Sequence, residues 1–370
     1  MIRVLHVGKF YPPHAGGMER VLETICRASQ GFVENHVLVL NGSSRTVQER
    51  RDGVHVTRVA SIGSIGSVHV APGFARRLAR TAADLIVLHE PNPWALLSYA
   101  IARPGPPLFI WYHSDVVRPA LQYALFYAPL ARVAYARAQR IIVSSPPLGE
   151  YAAVLTPYRD RVRVVPFGIE PSRWRSHAGA GPSGEPFVLF AGRHVAYKGV
   201  DVLLRALAQS TARAVIVGDG PKRRAWEAMA RGLGLNGRAT FTGEVPDDEL
   251  RRLMHACAAL VLPSVTRAEA FGYVQLEAMA AGKPVISTDV PSGVSWVNQH
   301  MRTGLIVPSG DDRALRAAID RLMADSSLRD RLGAAGRARV EQEFTLERLR
   351  DRLRTLYEEG AVVPQRPAAC

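Results

Sequence analysis

Cysteine is scarce in this sequence, acidic residues are outnumbered by basic ones, and long apolar runs are missing. The 370 residues contain three cysteines, Cys26, Cys257 and Cys370. They have neither zinc-site spacing nor the pattern of a disulfide framework, which fits a reducing compartment. No apolar run approaches the length needed to cross a bilayer, and the opening Met-Ile-Arg-Val-Leu reads as a strand rather than a signal peptide. Asp and Glu total 33 against 47 Lys and Arg, giving a formal charge of +14. That imbalance attracts nucleic acids and anionic membrane surfaces alike. Aromatic residues are not interleaved with the basic ones, and zinc-finger and helix-turn-helix signals are missing, so nucleic acid is not the expected partner.

What is present is an apolar fraction of 47%, enough at this length for two domains with sizeable cores. Short apolar runs alternate with helical patterns throughout. In the first half, residues 2–7, 36–40, 54–59, 84–88, 108–112 and 140–144 read as strands. Helices are expected near 19–28, 72–82, 94–102, 119–138 and 147–155, and 61–70 as a mobile cleft loop. This alternation predicts an α/β fold whose parallel sheet is covered by helices on both faces. A breaker-rich segment, 176–186, has linker composition. The strand pattern resumes at 187–191, 214–217, 239–243, 258–262, 284–288 and 304–307.

One stretch organises the chain: E-A-F-G-Y-V-Q-L-E-A-M-A-A-G-K-P-V-I-S-T-D, residues 269–289. It places Glu269 in a loop at a strand's carboxyl end and Glu277 in the following helix, where an open α/β sheet usually binds ligands. Spacing alone leaves two readings. Glu277 lies on a solvated helix face and Glu269 decorates a loop, or both carboxylates accept hydrogen bonds from a polyhydroxylated ligand. Gly272 permits close backbone approach. The helix start offers free N–H groups to a phosphate.

The pattern E-x-F-G-x-x-x-x-E followed by A-M-A-A-G-K-P-V-I resembles the glutamate motif of the family 4 glycosyltransferases, retaining enzymes of the GT-B type. Four further pieces stand in the family's order, so the resemblance covers roughly residues 1–345. It implies a GT-B fold: two Rossmann-like domains facing each other across a cleft, with a nucleotide sugar on the second and an acceptor on the first. The implied boundaries are 1–170, a linker at 171–186, and 187–345. A last helix at 346–359 crosses back to the first domain, and a disordered tail occupies 360–370.

Residues 192–200, G-R-H-V-A-Y-K-G-V, match the family's G-R-x-x-x-x-K-G motif. Arg193 and Lys198 suit a diphosphate by charge, although two basic residues beside a glycine also describe a solvated loop. The resemblance gives them the neutralisation of the departing nucleoside diphosphate. It also gives Glu269 the hydroxyls of the transferred sugar and Glu277 the ribose. Ala270, Phe271 and Gly272 are implied near the sugar or diphosphate. Ala270 stands where the family usually has proline, and Tyr273 where it has an aliphatic residue. Gly218 belongs to a G-x-G-P turn beside the donor pocket, and Glu244 and Val245 follow a strand whose end approaches the base. Residues 164–170, V-V-P-F-G-I-E, resemble the family's V-x-P-N-G-V-D segment, with Phe167 and Glu170 as departures.

In the first half, Gly16 and Gly17 lie in a breaker-rich loop between a strand and a helix. That architecture cradles diphosphates, but a structural turn reads the same. The resemblance puts this loop beside the donor phosphates and the acceptor. Glu19 either joins them or favours the helix start by charge. His89-Glu90 and His113-Ser114-Asp115 follow two strands at one sheet edge. W-Y-H-S-D-V-V-R resembles the family's acceptor-side histidine motif, which implies contact of His113 with the transferred sugar or its phosphate. Asp115 orients the acceptor or pairs with Arg118. Arg76, Arg77 and Arg80 extend an arginine stripe that is either a solvated face or a surface for anionic membrane.

A D-x-D metal motif at a strand end is missing, and Asp247-Asp248 opens a helix, so metal-independent activity is expected with no cofactor. The N-terminal G-G-M-E-R-V and the H-S-D-V-V-R piece look most like bacterial mannosyl- and rhamnosyltransferases of surface polysaccharides. A GDP-sugar donor is therefore favoured, with UDP-sugars retained. The implied acceptor is a lipid-linked or oligosaccharide chain, and the implied location is the cytoplasmic face of the membrane. The rival readings are a sugar-nucleotide epimerase of GT-B fold, a glycoside hydrolase using Glu269 and Glu277, and a basic nucleic-acid or membrane binding protein.

Overall fold

The computed structural model describes residues 1–14, 16–65, 68–115, 127–175 and 185–362. The chain forms two units: Met1–Gly168 with Leu346–Cys370, and Ile169–Thr345.

The first unit holds strands β1 (Ile2–Val7), β2 (Val33–Leu40), β3 (Val47–Arg51), β4 (Val54–Val59), β5 (Gly63–Ile65), β6 (Val68–Val70), β7 (Leu85–Glu90), β8 (Leu108–Tyr112), β9 (Arg140–Val143) and β10 (Val162–Val164). Eight of them make one sheet in the order β10-β9-β8-β7-β1-β2-β4-β3. All neighbours run parallel except β3, which pairs antiparallel with β4 at the edge. The central strands read as unbroken apolar runs because both faces are covered. L-I-V-L-H-E in β7 and L-F-I-W-Y in β8 are buried at every position. The helix Gly17–Ser29 and the last helix, Leu346–Val362, pack together within this unit. The chain proceeds outward from β1 through β2 on one side and from β7 on the other. The sheet's order therefore reverses between β1 and β7, where loops diverge and open a crevice.

The second unit has β11 (Phe187–Ala191), β12 (Arg213–Val217), β13 (Ala239–Gly243), β14 (Ala259–Leu262), β15 (Val285–Thr288) and β16 (Gly304–Val307). They form one all-parallel sheet ordered β13-β12-β11-β14-β15-β16. The order reverses between β11 and β14. The covering helices are amphipathic: Val200–Ala208 buries Val200, Val202, Leu203, Leu204, Ala206 and Leu207. Two of them, Asp312–Ala324 and Ser326–Glu343, start on side-chain caps, Asp311 accepting from the Ala314 N–H and Asp325 from the Leu328 N–H.

Several expectations need correction. Residues 63–65 and 68–70 of the expected mobile loop form an antiparallel pair, with Ser64 opposite His69. Strand β3 is absent from the sequence reading because V-Q-E-R-R is too polar to read as a strand. It is an edge strand, and charged side chains suit an edge exposed to water. In the expected linker, Ser172–Arg175 forms a helical turn with Trp174 buried. The last helix continues to Val362, so 360–362 are helical rather than disordered. The linker at 176–184, Arg118 with the first part of the helix at 119–138, and the tail beyond 362 lie outside the described residues.

Candidate active site

In the second unit the loops after β11 and β14 meet at the switch point. The loop from Gly192 turns through a short 3-10 helix, Ala196–Lys198, and ends on Gly199, whose φ is +67°. A Cβ at Gly199 would lie 2.0 Å from the Pro263 carbonyl oxygen. Only glycine lets the β11 loop lie this close to the residue ending β14. The Val265 N–H donates to the Tyr197 carbonyl at 2.8 Å and ties the loops together.

This approach brings the Lys198 Nζ to 2.5 Å from Glu269 Oε2. The same oxygen accepts from Ser264 Oγ at 3.1 Å. Ser264 is itself held by Thr288, whose hydroxyl donates to the Ser264 carbonyl at 2.6 Å. Glu269 is 7% exposed. Burial alone would lower the Lys198 ammonium, but the adjacent Glu269 carboxylate outweighs it and holds the ammonium above its ordinary value. Among the described residues both side-chain contacts of Glu269 fall on Oε2, which leaves Oε1 to accept from a hydroxyl. Burial pushes the Tyr197 phenol up. Glu269 adds to that shift while Lys198 and Arg193 oppose it, so all four groups share one electrostatic neighbourhood. Arg193 is exposed.

Glu277 lies in the first turn of the helix Val274–Ala280 and is buried. The turn before it needs Gly272, at φ +70°, where a Cβ would meet Leu262 Cδ2 and Gln275 Nε2 at 2.6 Å. The Ala270 carbonyl accepts from the Gly293 N–H at 2.8 Å. The Phe271 ring packs among Trp296 and Phe344, and its carbonyl accepts from Gln275 Nε2 at 2.9 Å.

The first unit builds its switch point from uncharged groups. His113 follows β8, and its N–H donates to the Glu90 carbonyl at 2.9 Å. Its Nε2 lies 2.9 Å from His89 Nδ1 on β7. His89 Nε2 lies 3.1 Å from His6 Nδ1 on β1. All three rings are buried. Burial lowers His6 to about 4 and His113 to about 3, and holds His89 well below the ordinary histidine value. Beside them, burial pushes the Glu90 carboxyl up to about 8, although it accepts from the Asn92 N–H at 3.0 Å and the Tyr127 hydroxyl at 2.7 Å.

Comparison with known proteins identifies the family. A family model described as "Glycosyl transferases group 1" matches residues 172–339, and one described as "Glycosyl transferase 4-like domain" matches 16–168. The chain is 34% identical over 356 residues to D-rhamnosyltransferase WbpZ of Pseudomonas aeruginosa, covering 93% of this chain and 92% of that protein. The chain belongs to the group 1 glycosyltransferases. This glycosyltransferase is also 30% identical over 371 residues to the O-antigen chain mannosyltransferase C of Escherichia coli, covering 96% and 98% of the two chains. Among solved structures, sucrose-phosphate synthase from Thermosynechococcus elongatus superposes with a TM-score of 0.83 at 24% identity, covering 97% and 99%. HepE of Anabaena in complex with UDP-glucose superposes with 0.77 at 21%, covering 97% and 100%. These likenesses show the two-domain, Rossmann-like GT-B architecture.

The sequence candidates divide between the units of this glycosyltransferase. Arg193, Lys198, Glu269, Ala270, Phe271, Gly272 and Glu277 lie in the loops and helix after β11 and β14. Gly218, at φ +116°, lies after β12, where a Cβ would be 2.1 Å from the Gly192 carbonyl oxygen. Glu244 and Val245 follow β13, two strands out from the switch point. Gly16 and Gly17 open the helix Gly17–Ser29 in the first unit, and a Cβ on Gly16 would meet the Glu19 carboxylate at 2.1 Å. Tyr112 donates to Asp115. Sequence reasoning missed Ser264 and Tyr197 as supports of the ion pair, and His6 as the partner of His89. The available signal for His6 was a polar imidazole among the apolar residues Val4, Leu5 and Val7.

Proposed function

We propose that this glycosyltransferase moves a hexose from a nucleotide sugar, held by the second unit, onto a hydroxyl of a lipid-linked or polysaccharide acceptor. The observation that carries this reading is the buried contact between Lys198 and Glu269 at the sheet's switch point. A cation and a carboxylate side by side suit a ligand with anionic phosphates joined to a hydroxyl-rich ring. Arg193 and Lys198 take the charge that develops on the diphosphate as its bond to the sugar C1 breaks. Glu269 accepts from sugar hydroxyls and Glu277 from the ribose. The acceptor oxygen bonds to C1 on the face the diphosphate leaves, and its proton passes to the departing phosphate oxygen, so configuration is retained. His113 contacts the sugar or its phosphate. Neither metal nor cofactor takes part in this scheme, and activity is expected to survive EDTA.

The donor we favour is GDP-mannose or a related GDP-hexose. The rhamnosyl- and mannosyltransferase names of the full-length relatives support the sugar. The HepE structures hold UDP and UDP-glucose, which makes UDP-glucose the competing donor. A surface-polysaccharide acceptor is supported by these relatives and by two lipopolysaccharide core glycosyltransferases of Rhizobium meliloti. Arg50, Arg76, Arg77 and Arg80 line a groove of about 970 Å³ in the first unit with His36 and His55, a surface suited to an anionic membrane or acceptor phosphate. Among the described residues no helix is long and apolar enough to cross a membrane. We place the protein in the cytoplasm, held peripherally at the inner membrane face.

Thermal shift and donor hydrolysis across GDP-mannose, GDP-rhamnose and UDP-glucose test the assignment. A GDP-sugar is expected to stabilise the protein and be hydrolysed. Stabilisation by UDP-glucose alone overturns the base assignment, and silence from every nucleotide sugar overturns the donor site.

A further inference from the structure

We propose that His6 and His89 are positioning residues that determine, through two imidazole–imidazole hydrogen bonds, whether the outward nitrogen of His113 donates or accepts. Its functional meaning rests on the reading that His113 contacts the ligand.

Each ring is buried, and each is neutral near pH 7 because burial opposes the cation. A neutral imidazole has one N–H and one lone pair. The chain runs His6 Nδ1 to His89 Nε2, at 3.1 Å, then His89 Nδ1 to His113 Nε2, at 2.9 Å. His89 uses both nitrogens inside it, so it donates one way and accepts the other.

Only two arrangements make both bonds. In one, His6 donates to His89 and His89 to His113, and every ring carries its proton on Nδ1. His113 then presents an Nδ1–H outward. In the other, His113 donates to His89 and His89 to His6, and every ring carries its proton on Nε2. His113 then presents a bare Nδ1, able to accept from a hydroxyl. Any mixed set places two N–H groups or two lone pairs face to face in a buried site. The tautomer of His113 is therefore tied to that of His6, two strands further along the sheet.

The surroundings hold the rings in this register. The His89 and His113 rings lie 5.2 Å apart between centroids with planes 17° apart, and the planes of His89 and Trp111 are 6° apart. The Phe167 ring lies 6.1 Å from His113. The strands carrying His6 and His89 are hydrogen-bonded neighbours, and so are the strand carrying His89 and the strand that His113 follows.

The test uses the full chain labelled with 15N-histidine, in two-bond nitrogen–proton correlation spectra at pH 7 without substrate. His6, His89 and His113 are assigned by single substitutions. The expected result is one tautomer shared by all three rings. A mixed set in the unsubstituted chain overturns the proposal. His6→Phe keeps the bulk and removes the far end of the chain. It is expected to release His113 into the opposite tautomer or into exchange between the two. His6→Asn, whose amide reaches the place of Nδ1, restores one form. An unchanged His113 spectrum in a folded His6→Phe overturns the coupling. In transfer assays His6→Phe is expected to lower kcat about ten-fold with donor KM within about two-fold, and His6→Asn to recover most of it. A switched tautomer with unaltered kinetics supports the relay and overturns the ligand contact assigned to His113.

Discussion

The two units of this glycosyltransferase build their switch points from opposite chemistry. The first gathers three neutral imidazoles and a carboxyl pushed up to about 8 between β1, β7 and β8. The second buries a charged pair, Lys198 against Glu269, between β11 and β14. The topology is shared, so the difference lies in what each loop carries. Buried neutral groups offer directional hydrogen bonds to hydroxyls without a net field. A buried cation beside a carboxylate offers charge, which a diphosphate needs more than direction. In the proposed function the neutral groups meet the hydroxyls and the charged pair meets the phosphates.

The largest effect expected from breaking this contrast is at Lys198. Lys198→Ala removes the cation and leaves Glu269 buried without its partner. Transfer kinetics are expected to show kcat/KM falling about 1000-fold; a loss below ten-fold sinks the charge-based account. Glu277→Ala comes next. Removing a buried acceptor for ribose hydroxyls is expected to weaken donor binding by about 10- to 100-fold in calorimetric titration, with unaltered affinity refuting the ribose role.

The contrast also predicts unequal acid sensitivity. His6 and His113 have folded values of about 4 and about 3, below the ordinary histidine value. Between pH 6.5 and about 4 the unfolded chain therefore binds more protons than the folded one. The stability of the first unit falls as pH falls through that window, by about 3 kcal/mol for each of the two groups. Hydrogen exchange at pH 5 is expected to show peptides of β1 and β7 losing protection while those of β11 and β14 keep theirs. Equal loss in both units removes the distinction.

The smallest effect concerns Glu90. Its folded value, about 8, lies above its unfolded one, so the folded state holds a proton that the unfolded state releases. The group costs stability increasingly as pH rises from about 4.5 to about 8. Glu90→Gln keeps acceptors for Tyr127 and Asn92 without the ionisation. Melting curves should show it raising stability more at pH 8 than at pH 5. Equal effects at both pH values count against a neutral Glu90.

Much of the second unit's candidate site was legible because its residues sit in contiguous motifs. G-R-H-V-A-Y-K-G and E-A-F-G-Y-V-Q-L-E each carry their glycines at fixed offsets from their charges, and strand-loop-helix punctuation placed both at strand ends. That Lys198 touches Glu269 was not legible, because it depends on β11 and β14 being neighbours and on Gly199 fitting against Pro263. The histidine chain was less visible still. Its bonds span 83 and 24 residues, and a lone histidine in a strand carries no mark of its partner.

Sequence by itself determined the alternating α/β pattern, the family motifs and the charged residues of the donor loops, since local spacing and side-chain type suffice for these. Tertiary structure alone decided which charges pair, which imidazoles bond in series, and which groups stay neutral. Burial and partner distance set proton affinities, and both arise only when strands far apart in the chain come to lie side by side.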